Sequence, residues 1–351
     1  MLLCSVVKFL GLEQIFKNSL TGLALGGAKG GSDFDPKGKS DSEVMRFCQS
    51  FMTSLAKYIG PNRDIPAGDI GVGGREIGYL YGQYRRITQQ FEGAITGKGE
   101  EWGGSRLRPE ATGYGAVYFL EEMMKNANTD VKGKRIVLSG SGNVAQFAAE
   151  KLIQLGAQVL SLSDSKGYLH FKDGLTTELL DQISELKNEK RGRLSEFPAE
   201  GSVSYVAGKQ PWKEVACDVA MPCATQNEIG KEEAEVLVKN GVKFIVEGAN
   251  MPLEAAAHKI MRANKIPVAP AKAANAGGVA VSGLEMAQNS SRDRWDRDVV
   301  DEKLRDIMAS IYEKCRTAAK EYASDESDLL AGSNIAGFLR VAYAVYSQGC
   351  S

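Results

Sequence analysis

A single lysine lies among four glycines in residues 26–31, Gly-Gly-Ala-Lys-Gly-Gly. Glycine neighbours allow the backbone to lie close to a ligand and leave backbone N–H groups accessible. Lys17 precedes Lys29 by one helix and a turn, and two ammonium groups in one pocket would suit a dicarboxylate substrate. Each ammonium would lower the pKa of the other, which favours a neutral lysine that can act as a base.

The carboxylate of Asp69 is the second candidate for proton chemistry. It ends residues 65–69, Ile-Pro-Ala-Gly-Asp, which we interpret as the end of a strand that continues into a loop. A loop carboxylate can exchange a proton with a substrate nitrogen. No spacing rule links Asp69 to the two lysines, and most lysines are solvated while most loop aspartates form turns.

Residues 140–145, Gly-Ser-Gly-Asn-Val-Ala, follow an apolar strand predicted at 135–139 and open a helix. In such a G-x-G-x-x-A segment, Gly140 makes the tight turn and Gly142 lets the backbone approach a pyrophosphate. The small side chain of Ala145 allows the helix to pack on the strand, and the helix N-terminus faces the phosphates. A second predicted strand follows, so the context favours dinucleotide binding over an ordinary glycine turn.

The end of this second strand, predicted at 158–162, bears on which dinucleotide is bound. Asp164 lies near the position from which an acidic residue binds the ribose 2′-hydroxyl of NAD. Ser165 and Lys166 can instead serve the 2′-phosphate of NADP, and a basic cluster follows that also suits a solvated helix end. The cluster comprises Lys187, Lys190, Arg191 and Arg193. These residues favour NADP and leave NAD open.

The elements that must position these residues alternate between strands and helices. The chain has 351 residues, which suggests about two domains, and the glycine-rich connector at 97–104 is the predicted boundary. The alternation after the connector predicts a Rossmann-like α/β domain with a doubly wound parallel sheet, and a smaller α/β domain precedes it. Helices are predicted over 5–21, 41–59, 74–90, 109–126, 143–155, 293–323 and 334–347, and further strands at 218–221, 244–247 and 267–270.

Composition argues against several other classes of protein. The net charge is −1, which is unlike a dedicated nucleic-acid-binding protein. Only two histidines are present, so a His-rich metal site is excluded and no metal is predicted. No apolar run approaches the ~18 residues of a membrane helix, so no membrane partner is predicted. The cysteines form no CxxC pair and indicate a reducing compartment, the cytoplasm by default, with mitochondrion and plastid left open.

Six longer segments of the sequence match the motifs of a known enzyme family. From about Val7 to the C-terminus, and in the same order, the sequence resembles the hexameric glutamate dehydrogenases. The resemblance implies reversible, NADP-dependent oxidative deamination of L-glutamate to 2-oxoglutarate and ammonium, through an iminoglutarate, in a homohexamer. A preference for NADP favours the reverse direction, reductive amination, and thus nitrogen assimilation. The segments are residues 17–20 (KNSL), 26–36 (GGAKGGSDFDP), 66–73 (PAGDIGVG), 108–115 (RPEATGYG), 246–252 (VEGANMP) and 275–279 (NAGGV).

The resemblance also implies roles for individual residues. Lys29 would polarise the substrate carbonyl and help to activate water, and Asp69 would pass protons to and from the amino nitrogen. The further substrate contacts are Gln14 and Lys17 at the α-carboxylate, Gly68, and Ser282 at the side-chain carboxylate. The cofactor contacts are Thr96, Thr112, Asn250 and Asn275 around the nicotinamide and its ribose, Gly140, Gly142, Asn143 and Val144 at the pyrophosphate, and Asp164, Ser165, Lys187 and Arg193 at the adenosine ribose and its 2′-phosphate.

The resemblance leads to an expectation about the domain boundaries and leaves two alternative functions open. In the family the last helix crosses back, so residues 1–102 and 327–351 are assigned to the substrate (dimerisation) domain and residues 103–326 to the dinucleotide domain. Family members carry about 100 further residues ahead of the segment at Val7, including a lysine for the γ-carboxylate. The substrate domain is therefore expected to be truncated, and a non-catalytic nucleotide-binding fragment or paralogue stays open. A dehydrogenase for an apolar amino acid such as leucine or phenylalanine is the other alternative, although Ser282 favours glutamate.

Overall fold

The computed structural model describes residues 4–323 and 325–349. Cys350 and the first and last residues of the predicted substrate domain lie outside the described residues, and the described cysteines are free thiols. The α-helices are α1 (Cys4–Leu20), α2 (Asp41–Leu55), α3 (Gly74–Thr88), α4 (Ala111–Asn126), α5 (Asn143–Gln154), α6 (Thr177–Ser184), α7 (Lys231–Lys239), α8 (Ala255–Ala263), α9 (Ala271–Ala274), α10 (Gly277–Ser291), α11 (Arg297–Tyr322) and α12 (Leu329–Gln348). The strands are β1 (Arg135–Leu138), β2 (Gln158–Asp164), β3 (Gly167–Phe171), β4 (Val203–Ala207), β5 (Val219–Met221), β6 (Phe244–Val246) and β7 (Val268–Ala269).

One seven-stranded sheet forms the centre of the larger part of the molecule, in the order β4-β3-β2-β1-β5-β6-β7. Five neighbouring strands of this sheet, β2, β1, β5, β6 and β7, pair parallel to one another. The chain leaves β1 towards β2 on one side and later adds β5 on the other side, so a crevice opens beyond the carboxyl ends of β1 and β5. The predicted doubly wound parallel sheet is confirmed for these strands, and the G-x-G-x-x-A loop lies at the crevice.

The strands β3 and β4 correct the expectation of a wholly parallel sheet, since both pair antiparallel to their neighbours. Only Ser165 and Lys166 separate β2 from β3, and a two-residue connection joins antiparallel strands. The carboxylate of Asp164 accepts the N–H of Lys166 over 2.8 Å, which stabilises this turn. The sheet is therefore mixed, with an antiparallel hairpin at one edge.

The described residues ahead of the connector form a helical unit. The helices α2 and α3 pack around a small core that includes Met52, Ile77 and Tyr81. The strand end predicted at 65–69 is not formed, and the pairing of Asp69 with Val72 is an isolated bridge. A strand needs a neighbouring strand to pair its N–H and C=O groups. Within the described part of residues 4–102, the predicted α/β substrate domain thus consists of helices and irregular loops.

Local sequence explains where α2 and α12 begin. Ser40 forms the predicted capping box, in which its hydroxyl accepts the N–H of Glu43 and the Glu43 carboxylate accepts the N–H of Ser40. The helix α12 begins earlier than the position predicted at 334, because Asp328 caps it by accepting the N–H of Ala331 over 3.0 Å. The helix α12 packs on both α11 and α1, so the last helix lies against the first described one.

The helix α12 also corrects the statement that no segment is apolar enough for a membrane helix. By length and composition it meets that criterion, with a mean hydropathy of 1.2, and among the described residues no other helix does. Polar residues such as Ser333, Asn334 and Arg340 interrupt the apolar ones, so the sequence shows no continuous run. Arg340 donates to the carbonyls of Ser19 and Leu23 over 2.7 and 2.9 Å, which ties α12 to the end of α1. Only 22% of the apolar window of α12 is buried among the described residues.

A buried ion pair holds the connector at 97–104 in place. The Nζ atom of Lys98 lies 2.6 Å from Glu285 Oε1 and 2.8 Å from Asn289 Oδ1, and both partners are on α10. The N–H of Gly97 donates to the same carboxylate over 3.0 Å. Because the carboxylate and the ammonium are both almost fully buried, loss of one partner would leave an uncompensated charge. The predicted domain boundary is therefore a fixed junction.

Candidate active site

The helix α1 supports the glycine-rich loop that presents the lysine. The side-chain amide of Asn18 donates to the carbonyl of Gly26 over 2.5 Å. Gly27 approaches α1 so closely that a Cβ atom there would lie 2.6 Å from the backbone nitrogen of Ile15. Only glycine allows this approach. The loop around Lys29 is thus fixed on α1.

Lys29 and Asp69 form an ion pair between two loops. Asp69 lies in a tight turn, in which its N–H and C=O groups bond to Val72 over 3.2 and 2.9 Å. A Cβ atom at Gly68 would lie 2.6 Å from the Val72 carbonyl oxygen, so glycine lets the turn close. The two side chains are 23% and 51% exposed, which leaves both accessible to a ligand. The structure thereby brings together the two predicted catalytic residues.

Lys17 faces the same ion pair from α1. Burial, followed by the repulsion of the Lys29 ammonium, lowers the pKa of Lys17 to about 8, while the Asp69 carboxylate acts in the opposite direction. The expected lowering of a lysine pKa is therefore found at Lys17, with burial as the larger cause. Gln14 lies one turn earlier on α1 and donates to Asn18 Oδ1 over 2.7 Å.

Arg108 is a further candidate for substrate binding, and no role was predicted for it from the sequence. Its Nε donates to Ser282 Oγ over 2.9 Å, and this is its only hydrogen bond among the described residues. Burial lowers the pKa of the Arg108 guanidinium, and the Glu285 carboxylate partly offsets that effect. The outer guanidinium nitrogens are thus available for a ligand carboxylate beside Ser282. The signal in the sequence was the place of Arg108 inside the segment 108–115.

The G-x-G-x-x-A loop has the geometry of a phosphate site. Gly140 has a φ of +83°, and a Cβ atom there would lie 2.8 Å from the carbonyl oxygen of Cys223, just beyond β5. At Gly142, by contrast, no described atom apart from its own chain neighbours lies within 4 Å of the position of a Cβ, and no side chain caps α5. The N–H groups of Asn143 and Val144 in the first turn of α5 are therefore available to phosphate oxygens.

The carboxylate of Asp164 is engaged by the backbone at the end of β2. Its two oxygens accept the N–H groups of Lys166 and Leu194 over 2.8 and 3.0 Å. The neighbouring Arg193 reaches Ser165, with 3.3 Å between Nη1 and Oγ. Asp164 thus holds the segment that places Arg193 beside Ser165, and a guanidinium next to a hydroxyl suits a 2′-phosphate.

Lys187, a predicted phosphate contact, is bonded to a backbone carbonyl in the structure. Its ammonium donates to the carbonyl of Gly192 over 2.8 Å and closes the loop that leads to Arg193. Lys187 would have to release this carbonyl before it could contact a phosphate. The 2′-phosphate role of Lys187 stays a prediction.

The predicted nicotinamide residues contain two buried oxygens without partners. Asn275 donates to Asn250 Oδ1 over 2.9 Å, but the Oδ1 atom of Asn275 has no hydrogen bond among the described residues. The same holds for Oγ1 of the fully buried Thr96. A buried polar atom without a hydrogen bond costs about 1–3 kcal/mol, so both atoms suit a ligand that offers N–H or O–H groups. These residues, with the open loop at Gly142, fit a nicotinamide dinucleotide.

Comparison with known proteins places the chain in a family. The model of the Glutamate/Leucine/Phenylalanine/Valine dehydrogenases matches residues 103–349, and the model of the dimerisation domain of the same family matches residues 3–86. The chain belongs to the Glu/Leu/Phe/Val dehydrogenase family. Within residues 4–323 and 325–349 of this dehydrogenase, no group of three His, Cys, Asp or Glu side chains could hold a metal ion.

Several relatives of this dehydrogenase are known. The NADP-specific glutamate dehydrogenase of Giardia intestinalis is 60% identical over 349 residues, which cover 99% of this chain and 78% of the relative. The NAD(P)-specific glutamate dehydrogenase of Xylanibacter ruminicola is 56% identical over 345 residues, which cover 98% and 77%. The crystal structure of Plasmodium falciparum glutamate dehydrogenase matches with a TM-score of 0.98 and 54% identity, over 100% of this chain and 75% of that chain.

In this dehydrogenase a predicted cofactor residue is hydrogen-bonded to the loop that carries a predicted catalytic residue. The N–H of Thr96 donates over 2.9 Å to the carbonyl of Pro66, in the loop that leads to Asp69. Thr112 lies in the first turn of α4 and contacts the start of α10. A Cβ atom at Gly278 of α10 would lie 2.5 Å from Oγ1 of Thr112. Asp69, a predicted proton-transfer residue, thus lies in a loop that is bonded to the predicted nicotinamide residue Thr96.

Proposed function

We propose that this dehydrogenase interconverts L-glutamate and 2-oxoglutarate with NADP as the cofactor, and that reductive amination is the favoured direction. The ion pair of Lys29 and Asp69, with Lys17 beside it, is the observation that carries the proposal. The relatives support it, because proteins 54–60% identical over nearly the whole chain are named glutamate dehydrogenases. The test follows NADPH absorbance with NADPH, 2-oxoglutarate and ammonium in one assay and with NADP⁺ and glutamate in a second assay. Absence of turnover in both assays would refute the proposal.

The described side chains suit the steps of this reaction. NADP⁺, held at the loop from Gly140 to Val144 and beside Thr96 and Asn275, would supply the acceptor for the hydride that leaves Cα of glutamate. We assign Lys17 and Gln14 to the α-carboxylate, where they orient Cα. Asp69 takes a proton from the amino group of glutamate before the hydride leaves Cα. Lys29 then takes a proton from the water that adds to the imine carbon, and Asp69 returns its proton to the nitrogen. Ammonia leaves as the hydroxyl oxygen gives its proton to Asp69 and the carbonyl of 2-oxoglutarate forms, and ammonia takes up a proton from solvent to become ammonium.

Arg108 and Ser282 support glutamate over an apolar amino acid. A partly buried guanidinium beside a hydroxyl is suited to a second carboxylate, which leucine and phenylalanine lack. A site with such a group rejects an apolar side chain, because the guanidinium would stay unpaired. The relatives named above do not favour the apolar-substrate or non-catalytic alternatives. Rates measured with glutamate, leucine and phenylalanine at equal concentration test this choice, and faster turnover of leucine would overturn it.

The lowered pKa of Lys17 leads to a prediction about pH. A carboxylate at Lys17 requires the protonated form, which predominates only below a pH of about 8, so we expect 2-oxoglutarate to bind less tightly as the pH rises through 8. The dissociation constant, measured by calorimetry in the presence of NADPH between pH 6.5 and 9.5, checks this. The charged groups around Lys17 are Lys29, Asp69, Glu13 and Arg108. In Lys17→Met the affinity should be low throughout, without the change near pH 8; an unchanged pH dependence would contradict the assignment.

Cofactor choice leads to a second prediction. Removing the guanidinium in Arg193→Ala should reduce kcat/KM for NADP⁺ by about 10–100-fold, since a hydrogen bond to a charged group contributes about 1.5–3 kcal/mol. The value for NAD⁺, which has no 2′-phosphate, should stay within about twofold. Lys190→Ala is the matched control, because Lys190 belongs to the same basic cluster but pairs with Glu185 over 2.8 Å. Equal losses with both cofactors would remove Arg193 from the 2′-phosphate site.

The assembly, the domains and the location complete the proposal. The partners are small molecules, and we propose a homohexamer as the oligomer, to be tested by sedimentation equilibrium.

The contact of α12 with α1 supports a substrate domain built from residues 1–102 and 327–351, next to the dinucleotide domain at 103–326. Limited proteolysis that releases residues 103–326 as a stable fragment would support this division. A cytoplasmic location is proposed, to be tested by imaging the tagged protein.

A further inference from the structure

Lys272 lies outside the groups assigned so far, yet it is buried where three helices meet. It is the second residue of α9, the short helix that follows β7, and only 9% of it is exposed. Its Nζ lies 3.0 Å from Glu13 Oε1 on α1 and also donates to Asn334 on α12. Lysines are rarely buried to this degree unless their charge is paired. The ammonium therefore joins α9 to α1 and α12.

Each end of this link is fixed to a part of the candidate active site. The N–H of Ala271 donates to the buried carboxylate of Glu247, directly after β6, over 2.7 Å, which holds α9 on the sheet. The helix α9 ends where Asn275 begins the predicted nicotinamide site. At the other end, Glu13 directly precedes Gln14 and lies one turn before Lys17. The link therefore spans from the cofactor side to the substrate side.

We propose that Lys272 is a positioning residue for hydride transfer. Through Glu13 it sets the separation between α1, which carries the substrate-binding groups, and Asn275. The inference rests on the proposed function and adds to it a group that touches neither substrate nor cofactor. Transfer requires the reacting atoms to approach to about 3–3.5 Å, and a misplacement of about 1 Å can cost 10²-fold in rate. A link of this kind affects the separation of the two sites without altering either site alone.

The test removes the charge but keeps the length of the side chain. In Lys272→Met we expect kcat for glutamate oxidation to fall by about 10-fold or more, while the dissociation constant of NADP⁺ stays within twofold. The primary isotope effect on kcat with glutamate deuterated at Cα should increase, because hydride transfer becomes slower than product release. A merely structural role would lower the Tm and leave the isotope effect unchanged.

A matched control is available on the same helix junction. Lys314 of α11 is also partly buried, and its ammonium donates to the carbonyl of Leu20 at the end of α1 over 3.0 Å, but this bond does not involve α9. Lys314→Met should therefore leave the isotope effect at the value of the unmodified protein. If that variant raises the isotope effect as much as Lys272→Met does, the effect is not specific to the link and the proposal is overturned.

A second variant keeps the proposal testable if Lys272→Met does not fold. Glu13→Gln removes the same ion pair from the other side and preserves the volume of the side chain, so it should also raise the isotope effect. Because the Glu13 carboxylate raises the pKa of Lys17, this variant is assayed below pH 7, which favours the protonated form of Lys17. A folded variant of either kind with an unchanged isotope effect and kcat would overturn the role of Lys272. Absence of glutamate turnover in the unmodified protein would instead overturn the proposed function, and this inference with it.

Discussion

Lys29→Ala abolishes measurable turnover and leaves NADPH binding intact: this is the largest effect we expect. The variant loses the group that takes the proton from water, so kcat for glutamate oxidation should fall by about 10³-fold or more. The fold should be retained, because the ion pair with Asp69 is partly exposed and such pairs contribute about 1 kcal/mol or less. Steady-state rates and a fluorescence titration with NADPH measure the two quantities separately.

Lys37→Ala is the control for this experiment. Lys37 lies in the exposed segment that follows the glycine-rich loop, and its side chain takes no part in the ion pair with Asp69. Its replacement should leave kcat and the affinity for NADPH unchanged. If Lys29→Ala keeps a kcat within tenfold of the unmodified protein, the water-activating group is not Lys29. If instead NADPH binding is lost together with kcat, the variant has disturbed the dinucleotide site and the assignment fails in its present form.

Asp69→Asn should cause the second largest loss, a decrease in kcat of about 10²–10⁴-fold. An amide has the shape of the carboxylate but cannot accept and return the proton of the amino nitrogen. The backbone bonds between Asp69 and Val72 do not involve the side chain, so the turn should persist. Rates measured in both directions over a range of ammonium concentrations check the prediction, since proton exchange with nitrogen occurs in each direction.

Two further measurements separate proton transfer from simple loss of the ion pair. Asp64→Asn alters a nearby carboxylate whose residue bridges Ile59 through the backbone, and it should leave kcat unchanged. The double variant Lys29→Ala with Asp69→Asn should be no slower than the slower single variant, because residues that act as a unit show non-additive losses. Additive losses, or a kcat for Asp69→Asn close to normal, would show that Asp69 does not act together with Lys29.

The local patterns of the sequence were sufficient for the dinucleotide part of the fold. An apolar strand, the turn at Gly140 and the helix that starts at Asn143 are neighbours in the chain, and each is specified by residues within one short segment. The same is true of the capping box at Ser40. The hairpin of β2 and β3 was missed, since its two-residue turn, Ser165 and Lys166, was interpreted as a cofactor contact and not also as a connection between strands.

Local sequence patterns do not predict which residues meet in the candidate site. Lys29 and Asp69 are 40 residues apart, and nothing in their spacing predicts that they meet. Only the family resemblance suggested a joint role for them. Arg108 received no role because its partner Ser282 is 174 residues away. The engagement of Asp164 by the N–H of Leu194 was equally invisible, because it depends on how the loop ahead of Arg193 folds back on β2.

Local sequence patterns are sufficient to predict the α/β class, the phosphate loop and the residue types available for proton transfer, because helix and strand periodicity, glycine turns and capping residues act over a few neighbouring positions. The packing of distant segments establishes which of these side chains share a pocket, that burial lowers the pKa of Lys17 to about 8, and that Lys272 links α9 to α1. Burial and charge pairing depend on groups brought together from distant parts of the chain, so no local pattern contains them.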